Sequence, residues 1–487
     1  MMTLSILLEG IAPHPGFDVE ITGITCDSRK VKPGNLFICI RGEIADGHNY
    51  ASGALAKGAG AVVCERDLGL ERQICVADTH EAYAQFCAAY FGYPSKKLKL
   101  IGVTGTNGKT TTAGLIRHIL EHNGRKTGFV GTIGSMIGNK HVELERTTPD
   151  AFDLQKIFAQ MVDEGCEYAV MEVSSHALEQ KRVHGCRYHT AVFTNLTQDH
   201  LDYHKTMENY LLAKKKLFSM CGNAIINADD YYAGQMAEGL TCRVQIYSVR
   251  ETAADFFAHD INFEPNGVRY SLVTPSGRDT VEYCTPGSIS VYNSMAAIAA
   301  CISCGLTVRQ VCRGVSTATG TKGRLELVPL DKEFTIIIDY AHTPDGLEKL
   351  LSVVNGFAPG RIITVFGCGG NRDAAKRPIM GEIAARLSDV CIVTSDNPRH
   401  EDPMQIIADV LEGIVEPANT ELIVEENRAQ AIRKAIDIAQ KDDIILLAGK
   451  GHETYQVIGD QIFPLDEREI IKDYFECRGE LCSPADS

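Results

Sequence analysis

A glycine-rich segment that ends in lysine and threonine has the clearest chemical potential in this sequence. The segment Gly105-Thr-Asn-Gly-Lys-Thr110 follows an apolar, β-branched stretch and precedes apolar residues at helical spacing. Glycines at a helix N-terminus let backbone N–H groups point at a phosphate, and Lys109 adds a positive charge for the β- and γ-phosphates. The Thr110 hydroxyl is of the type that holds Mg²⁺ in such loops. The spacing therefore predicts a site for a nucleoside triphosphate.

This segment departs by one position from the general phosphate-loop pattern G-x-x-x-x-G-K-[ST]. Val103 stands where that pattern has its first glycine. The alternative is an ordinary strand, turn and helix with chance glycines. We favour the phosphate site, because turn chemistry does not explain a Lys-Thr pair placed directly after Gly-x-x-Gly at a helix start.

Two further polar groups stand at the ends of predicted apolar strands. Glu172 ends the apolar run 168–172, and His200 follows a second strand end at Val192-Phe193. Ligands of open α/β sheets gather at the carboxyl ends of the strands. A carboxylate in an apolar strand is costly to bury unless it is paired, although hydrogen bonds alone could also satisfy it. We expect Glu172, with one imidazole, to hold a second Mg²⁺, since magnesium prefers oxygen ligands.

The last third of the chain alternates apolar strands with helical patterns. Near-continuous apolar strands between helices indicate a parallel sheet that is covered on both faces. The predicted strands are 335–339, 362–366, 390–394, 421–424 and 444–447. Polar clusters follow four of them, at 339–345, 367–373, 396–399 and 449–453. Four such clusters at one sheet edge predict a binding cleft.

Length and composition argue against several other classes of protein. A chain of 487 residues suggests two to four domains, and a net charge of -15 argues against a nucleic-acid partner. No apolar run approaches the ~20 residues of a membrane span, and the N-terminus has no basic region typical of a signal peptide. We therefore expect a cytoplasmic protein, with a monomer as the expected state. The 17 cysteines lack paired zinc spacing and are expected to be reduced.

The predicted fold class is α/β with three domains. Residues 1–97 form a small N-terminal α/β domain, residues 98–322 a central phosphate-loop domain, and residues 323–487 a Rossmann-like domain. The central domain is expected to be a parallel sheet with helices on both faces. Within it, we predict that Thr148 caps a helix that begins at Pro149, and that 260–289 form an antiparallel addition to the sheet.

Seven segments, in this order, resemble the Mur ligase family of ATP-dependent amide ligases. They are G-T-N-G-K-T-T-T, M-E-V-S-S-H, F-T-N-L-x-x-D-H-L-D-Y-H, D-Y-A-H-T-P-D, F-G-C-G-G-x-R-D, D-N-P-R and A-G-K-G-H-E. The resemblance is greatest to the third-step ligases of peptidoglycan biosynthesis. It implies that ATP and Mg²⁺ are used to add meso-diaminopimelate to the D-glutamate of UDP-N-acetylmuramoyl-L-alanyl-D-glutamate, through an acyl phosphate.

The resemblance also implies roles for individual residues. Lys109, Glu172, His200 and Lys214 would be catalytic. Thr110 would hold one Mg²⁺, and a second would be held by Glu172, His200 and Lys214, with Lys214 carbamylated by CO₂. The implied ATP site consists of Gly105, Thr106, Asn107, Gly108, Lys109, Thr110, Thr111, Asn293, Arg324 and Asp339. The implied UDP-N-acetylmuramoyl-dipeptide site consists of Cys26, Ser28, Glu43, Ile44, Ala45, Thr147, Thr148, Ser174, Gln180 and Arg182.

The implied diaminopimelate site depends on Arg399. Lysine-adding relatives lack this arginine at the fourth position of D-N-P-R. An arginine can pair bidentately with the second carboxylate of diaminopimelate, whereas it would repel the terminal ammonium of L-lysine. Taken alone, Arg399 could equally be a solvated loop residue after an Asx-Pro turn. The implied site consists of Arg372, Asp396, Asn397, Pro398, Arg399, Gly449 and Glu453.

Three rival interpretations remain open at the level of sequence. Another ligase of the superfamily, such as a D-Ala-D-Ala-adding enzyme or a folylpolyglutamate synthase, should lack the D-N-P-R and G-K-G-H-E pair. A phosphate-loop ATPase should have a strand that ends in aspartate, which M-E-V-S-S does not provide. A non-catalytic scaffold should have lost Lys109, Lys214 or Glu172, and all three are present.

Overall fold

The computed structural model describes residues 2–42, 45–138, 140–414 and 420–477. The chain divides into two compact units. Unit 1 consists of Met1–Phe257, Val273–Arg278 and Met295–Gly314, and unit 2 consists of Ala258–Leu272, Asp279–Ser294 and Val315–Ser487. Each unit has a parallel sheet with polar residues after its strands.

Unit 1 begins with a small four-stranded parallel sheet of order β3-β4-β5-β6. Its strands have apolar runs that are buried on both faces, as parallel sheets require. The elements are β1 (Met2–Thr3), α1 (Leu4–Leu8), β2 (Glu20–Ile21), β3 (Gly23–Thr25), β4 (Asn35–Ile38), α2 (Ala51–Ala56), β5 (Ala61–Cys64), β6 (Gln73–Cys75) and α3 (Thr79–Tyr90), with 3-10 turns at Gly47–Tyr50 and Pro94–Lys96.

The central sheet of unit 1 holds the predicted phosphate loop. Its strands run in the order β10-β9-β8-β11-β7-β12-β13-β14, and all neighbours from β8 to β14 are parallel. The elements are β7 (Lys99–Thr104), α4 (Lys109–His122), β8 (Thr127–Gly131), β9 (Gly134–Ile137), β10 (Lys140–Val142), α5 (Ala151–Asp163), β11 (Tyr168–Glu172), α6 (Ser175–Glu179), β12 (Tyr188–Phe193), α7 (Leu201–His204), α8 (Met207–Lys215), a 3-10 turn (Lys216–Met220), β13 (Cys221–Asn227), α9 (Ala233–Ala237) and β14 (Arg243–Ser248).

The predicted addition to the sheet is a set of three strands. These are β15 (Phe256–Glu264), β16 (Gly267–Thr274) and β17 (Gly277–Tyr283), and the start of β15 pairs in parallel with β14 at Phe256 and Phe257, within unit 1. They are followed by α10 (Ser288–Ser303) and α11 (Val308–Ser316).

Unit 2 is built on a six-stranded sheet of order β18-β19-β23-β20-β21-β22. The five strands from β19 to β22 are parallel, as predicted, and β18 is antiparallel at one edge. The elements are β18 (Glu326–Leu327), β19 (Thr335–Asp339), α12 (Pro344–Asn355), β20 (Ile362–Phe366), α13 (Lys376–Leu387), β21 (Val390–Val393), α14 (Pro403–Leu411), β22 (Glu421–Val424), α15 (Arg428–Ile438), β23 (Ile444–Ala448), β24 (Tyr455–Ile458), β25 (Gln461–Pro464) and α16 (Glu467–Glu476).

One helix start differs from its prediction. Helix α5 begins at Ala151, and its cap is the Asp150 carboxylate, which accepts from the N–H groups of Phe152 and Asp153. Thr148 was therefore the wrong cap. Its hydroxyl instead donates to the carbonyl of Glu172, because the end of β11 lies closer than the helix N-terminus.

Two further properties concern the described residues only. Every cysteine among them is a free thiol. None of the described helices combines the length and the apolarity that a membrane crossing requires.

Candidate active site

The phosphate loop lies between β7 and α4, at the carboxyl edge of the central sheet. Gly108 has a φ of +81° and is the residue that precedes the first turn of α4. Gly105 is needed for space, because a Cβ there would lie 1.9 Å from Thr194 Oγ1. Thr194 Oγ1 donates to the Asn107 carbonyl at 2.6 Å, and Asn195 Oδ1 accepts from the Asn107 N–H at 2.9 Å. Strand β12 therefore fixes the shape of the loop.

Two lysines meet at one carbonyl of this loop. Lys109 Nζ donates to Gly105 O at 2.9 Å and to Thr106 O at 2.8 Å. Lys214 Nζ, which comes from α8, donates to the same Gly105 oxygen at 2.8 Å. Lys215 and Lys216 instead donate to Gln235 O and Glu179 at the surface. The structure thus separates Lys214 from its two neighbours.

Lys214 is one of the most deeply buried side chains of unit 1. It is 1% exposed, and its Nζ lies 4.5 Å from the centroid of the Tyr210 ring. Burial, and after it the positive charge of Lys109, hold the pKa of Lys214 well below its ordinary value. A neutral amine is therefore favoured here, and a neutral amine is the form that reacts with CO₂.

Glu172 is completely buried at the end of β11, beside the start of α4. Its Oε2 accepts from the Thr110 hydroxyl at 2.9 Å and from the Thr132 hydroxyl at 3.1 Å, and its Oε1 accepts from the Thr132 N–H at 2.8 Å. All three donors are neutral, so they satisfy the oxygens without balancing a negative charge. This donor set of one carboxylate and two hydroxyls fits Mg²⁺, which prefers oxygen ligands.

His200 lies in a cluster of aromatic and imidazole rings near α7. Its ring centroid is 4.9 Å from that of His176, and its side chain is about half exposed. His204 is buried, and its Nε2 lies 2.9 Å from Ser175 Oγ. Burial first, and then the neighbouring His176, lower the pKa of His204 to about 4.

The described residues contain no group of three or more His, Cys, Asp or Glu side chains that could hold a metal ion. The predicted second magnesium set has only two such residues, Glu172 and His200, with a modified lysine as the third ligand.

The predicted dipeptide-binding residues of the central sheet lie around the end of β11. The Arg182 guanidinium donates to Thr148 O at 3.0 Å and to Gln180 Oε1 at 3.0 Å. The Ser174 hydroxyl accepts from the Ala177 N–H and caps α6. Thr147 also belongs to this region, with its hydroxyl 3.1 Å from that of Thr132.

Three residues of the predicted UDP-N-acetylmuramoyl-dipeptide site, Cys26, Ser28 and Ala45, lie in loops that connect strands of the small N-terminal sheet. Asp27 Oδ1 accepts from the Arg29 N–H, and the paired Arg29 side chain lowers the pKa of Asp27 to about 2, so this stretch forms a self-capped turn. Ser28 O accepts from Lys57, and Cys26 precedes the turn. Ala45 O accepts from the Gly42 N–H. The other two predicted residues, Glu43 and Ile44, lie outside the described residues.

In unit 2, polar clusters at the strand ends come together around the buried Lys450. Its Nζ lies 3.0 Å from Asp396 Oδ1 and 3.3 Å from Glu453 Oε2, and it donates to Asn397 Oδ1 at 3.0 Å. Asn397 Nδ2 in turn donates to Glu453 at 3.0 Å. Gly449, with a φ of +111°, starts this loop. One ammonium therefore neutralises part of a two-carboxylate cluster.

Arg399 extends from the same loop towards the loop after β20. Its NH1 donates to Gly370 O at 2.8 Å and to Asn397 O at 3.4 Å. Its backbone has a φ of +53°, and its N–H donates to Val457 O at 3.0 Å. Arg372, in the neighbouring loop, is exposed. The Arg399 side chain and backbone are therefore fixed by hydrogen bonds, and the residue is not freely solvated.

Two of the residues predicted to contact the nucleotide lie close to the first two strands of the six-stranded sheet: Asp339 ends β19, and Arg324 lies two residues before β18. Asp339 is buried, and it accepts from the N–H groups of Leu325 and Ala341 at 2.8 Å each. Burial raises the pKa of Asp339, and the charge of Arg324 opposes that shift. The Arg324 guanidinium lies 5.1 Å from the Tyr340 ring centroid. Asn293 is buried within α10.

Two residues of these sites were not predicted. Thr132 contacts Glu172, and its only sequence signal is its position just after the apolar run 127–131. Lys450 lies in the segment A-G-K-G-H-E, but no role was predicted for it. A lysine between two glycines has no local sequence feature that indicates burial.

Comparisons with known proteins agree with this arrangement. Residues 20–91 match the Mur ligase family catalytic domain, residues 103–301 the Mur ligase middle domain, and residues 323–451 the Mur ligase glutamate ligase domain. The three matches follow the same order along the chain as the sheets described above.

Individual relatives cover nearly the whole chain. A UDP-N-acetylmuramoyl-L-alanyl-D-glutamate–2,6-diaminopimelate ligase of Clostridium botulinum is 46% identical over 462 residues, which are 93% of this chain and 95% of that protein. A solved structure of a ligase with the same name is 33% identical, with a TM-score of 0.73, and covers 95% of this chain and 96% of its own. The MurF ligase of Thermotoga maritima, solved with ADP, has a TM-score of 0.59 at 17% identity over 93% of this chain and 97% of its own, which shows a shared fold.

Proposed function

This chain belongs to the Mur ligase family, and from that premise we propose that it is an ATP-dependent amide ligase. It adds meso-diaminopimelate to the D-glutamate of UDP-N-acetylmuramoyl-L-alanyl-D-glutamate, a step of peptidoglycan synthesis. The observation that carries the choice of amino acid is the loop Asp396–Arg399, which holds a hydrogen-bonded arginine at one end and, at the other, an aspartate that pairs with the buried Lys450. Such a mixture of charges suits a ligand with both carboxylates and ammonium groups.

The first chemical step joins two anions. An oxygen of the D-glutamate γ-carboxylate attacks the γ-phosphorus of ATP, the bond from that phosphorus to the bridging oxygen breaks, and ADP leaves with the electron pair. The products are an acyl phosphate and ADP. Lys109 and the N–H groups of the phosphate loop stabilise the negative charge that develops on the phosphoryl oxygens.

Magnesium would be held by Thr110 and, at a second position, by Glu172, His200 and a carbamylated Lys214. When bound, it neutralises phosphate charge and polarises the phosphoryl oxygens. The neutral donors around Glu172 support this assignment, because they leave its charge to be balanced by a cation. The low pKa of Lys214 supports its carbamylation.

The second step forms the amide. The amine of diaminopimelate attacks the acyl carbon, the carbon–oxygen bond to phosphate breaks, and phosphate leaves while the amine loses a proton. Arg399 and Arg372 would bind a carboxylate of the amino acid, and Glu453 would bind the distal ammonium. Asp396, Asn397, Pro398 and Gly449 would shape this site.

Further assignments complete the proposal. Residues 1–97, 98–322 and 323–487 would be the UDP-binding, ATP-binding and amino-acid-binding domains of a monomer in the cytoplasm. Asn293, Arg324 and Asp339 would bind the nucleotide. The muramoyl dipeptide would be held by Cys26, Ser28, Glu43, Ile44, Ala45, Thr147, Thr148, Ser174, Gln180 and Arg182.

The test is phosphate release from ATP in the presence of the UDP-muramoyl dipeptide, with meso-diaminopimelate or L-lysine added in parallel. We expect release that depends on both the dipeptide and diaminopimelate. Release with L-lysine alone would keep the ligase but overturn the assignment of Arg399. Release without the dipeptide, or with neither amine, would favour an ATPase instead.

A further inference from the structure

Arg377 is a buried arginine beside the proposed amino-acid site that the proposed reaction does not use. It is the second residue of α13 and is 2% exposed. Its NH1 lies 2.7 Å from Asp409 Oδ2, and its NH2 lies 2.8 Å from Glu401 Oε2. The same NH2 donates to Gly369 O at 3.4 Å. One guanidinium therefore joins α14 to the loops that follow β20 and β21.

Glu401 extends this connection to the residues next to both site arginines. While one of its oxygens pairs with Arg377, the other accepts from the Asn371 N–H. The Asn371 side chain accepts from the His400 N–H at 3.0 Å. Asn371 directly precedes Arg372, and His400 directly follows Arg399.

The two loops are also in direct contact. The Gly370 N–H donates to Asn397 O at 2.9 Å, and Gly370 O accepts from Arg399 NH1 at 2.8 Å. A Cβ on Gly370 would lie 1.9 Å from Pro398 O, so only glycine permits this approach. If the contacts of Arg377 and Glu401 with these loops were lost, the distance between Arg372 and Arg399 would therefore change.

We propose that Arg377 is a positioning residue that sets the distance between Arg372 and Arg399, so that both can bind the carboxylates of the amino-acid substrate. This inference rests on the proposed function, which supplies diaminopimelate as the ligand. A planar guanidinium can contact two carboxylates and a carbonyl at once, whereas a lysine at this position retains the charge but has no rigid fork. The specificity for a dicarboxylic amino acid would then depend on a residue that does not touch it.

The chain offers a matched control on the same helix. Arg386 also pairs with two carboxylates, those of Glu382 and Glu348, but it is about half exposed and contacts neither loop. The experiment compares the purified full-length wild type with Arg377→Lys, Glu401→Gln and Arg386→Lys. Phosphate release is measured while diaminopimelate, ATP or the UDP-muramoyl dipeptide is varied, and thermal unfolding is recorded for every variant.

We expect Arg377→Lys and Glu401→Gln to raise the KM for diaminopimelate about 10- to 100-fold, because a small misplacement of binding groups is costly. The KM values for ATP and the dipeptide should stay unchanged, and the preference for diaminopimelate over L-lysine should shrink. Arg386→Lys should match the wild type in every constant.

Other results would overturn the inference. If all three KM values rise together, or if only the unfolding temperature falls, Arg377 merely stabilises the fold. If Arg377→Lys does not fold, Glu401→Gln decides, because its side chain is 32% exposed and its loss is easier to tolerate. A wild type that releases no phosphate with diaminopimelate would refute the proposed function and this inference with it, whereas an active wild type with unchanged KM in the folded variants would refute the inference alone.

Discussion

Lys109 and Lys214 donate to the same oxygen, that of Gly105, at 2.9 Å and 2.8 Å. Two charged ammonium groups at one carbonyl would repel each other, and only Lys214 is fully buried. The low pKa of Lys214 resolves the conflict, since burial and the neighbouring charge both favour its neutral form. We therefore expect Lys109 to act as the cation of this pair and Lys214 to be the amine that is modified.

The charge of Lys109 is expected to be essential for turnover. Lys109→Ala should lower kcat by about 10²- to 10³-fold, because a donor to the transition-state phosphoryl group is lost. The measurement is diaminopimelate-dependent phosphate release. Lys216→Ala is the control, since Lys216 forms only an exposed pair with Glu179, and pairs of that kind contribute ~0–1 kcal/mol. Equal rates in wild type and Lys109→Ala would refute the assignment.

Carbamylation of Lys214 can be observed directly. Enzyme equilibrated with ¹³C-labelled bicarbonate should give a carbamate carbon resonance, because burial lowers the pKa of the Lys214 amine and so favours the neutral form that can react with CO₂. Lys214→Arg should lack the resonance and should have little ligase activity, whereas Lys215→Arg should keep both. A resonance of equal intensity in Lys214→Arg would place the carbamate elsewhere.

Glu172 is expected to control the response to magnesium. Glu172→Gln keeps the size of the side chain and an acceptor for Thr132, but it removes the charge that would balance the cation. The Mg²⁺ concentration for half-maximal phosphate release should rise at least about tenfold, as for other changes around metal ligands. Glu179→Gln, at an exposed position, is the matched control. An unchanged magnesium curve would show that Glu172 is only a hydrogen-bonded core residue.

Arg399 is expected to set amino-acid specificity. Arg399→Ala should lower kcat/KM for diaminopimelate by roughly 30-fold or more, which corresponds to at least about 2 kcal/mol for a lost charged partner. The KM for ATP should not change, because the loop belongs to the amino-acid site. His400→Ala removes an exposed neighbouring side chain and serves as the control. Similar losses in both variants would point to the loop backbone instead of the guanidinium.

His204 gives the fold a pH dependence of known sign. Its folded pKa of about 4 lies below the ordinary value of 6.5, so between these values the unfolded chain binds a proton that the folded chain does not. Its contribution to the free energy of unfolding is therefore complete above pH 6.5 and is lost as the pH falls towards 4. Chemical denaturation at several pH values should show a shallower dependence in His204→Gln than in wild type. The exposed His259→Gln should behave as wild type, and equal slopes in all three would refute the assignment.

Much of the fold could be predicted because its signals are local. The five parallel strands of unit 2 fall within a residue of their predicted bounds, since a continuous apolar run between two helical patterns fits few other structures. The short strands β18, β24 and β25 were not predicted. The helix after the phosphate loop also begins as predicted, because the glycine turn and the apolar stripe both lie within one short segment. The cap at Asp150 was missed because Thr148 and Asp150 are both good caps, and only the position of β11 decided between them.

Residue types and their spacing over a few positions were enough to predict the phosphate loop, the parallel sheets and the order of the polar segments that follow their strands. Three contacts became known only from the folded chain: Lys214 reaches Gly105 from more than a hundred residues away, Thr132 contacts Glu172, and Lys450 is buried between two carboxylates. Those contacts depend on which strands are neighbours in the sheet and on which side chains are buried against each other. Neither property can be inferred from any single segment of the chain.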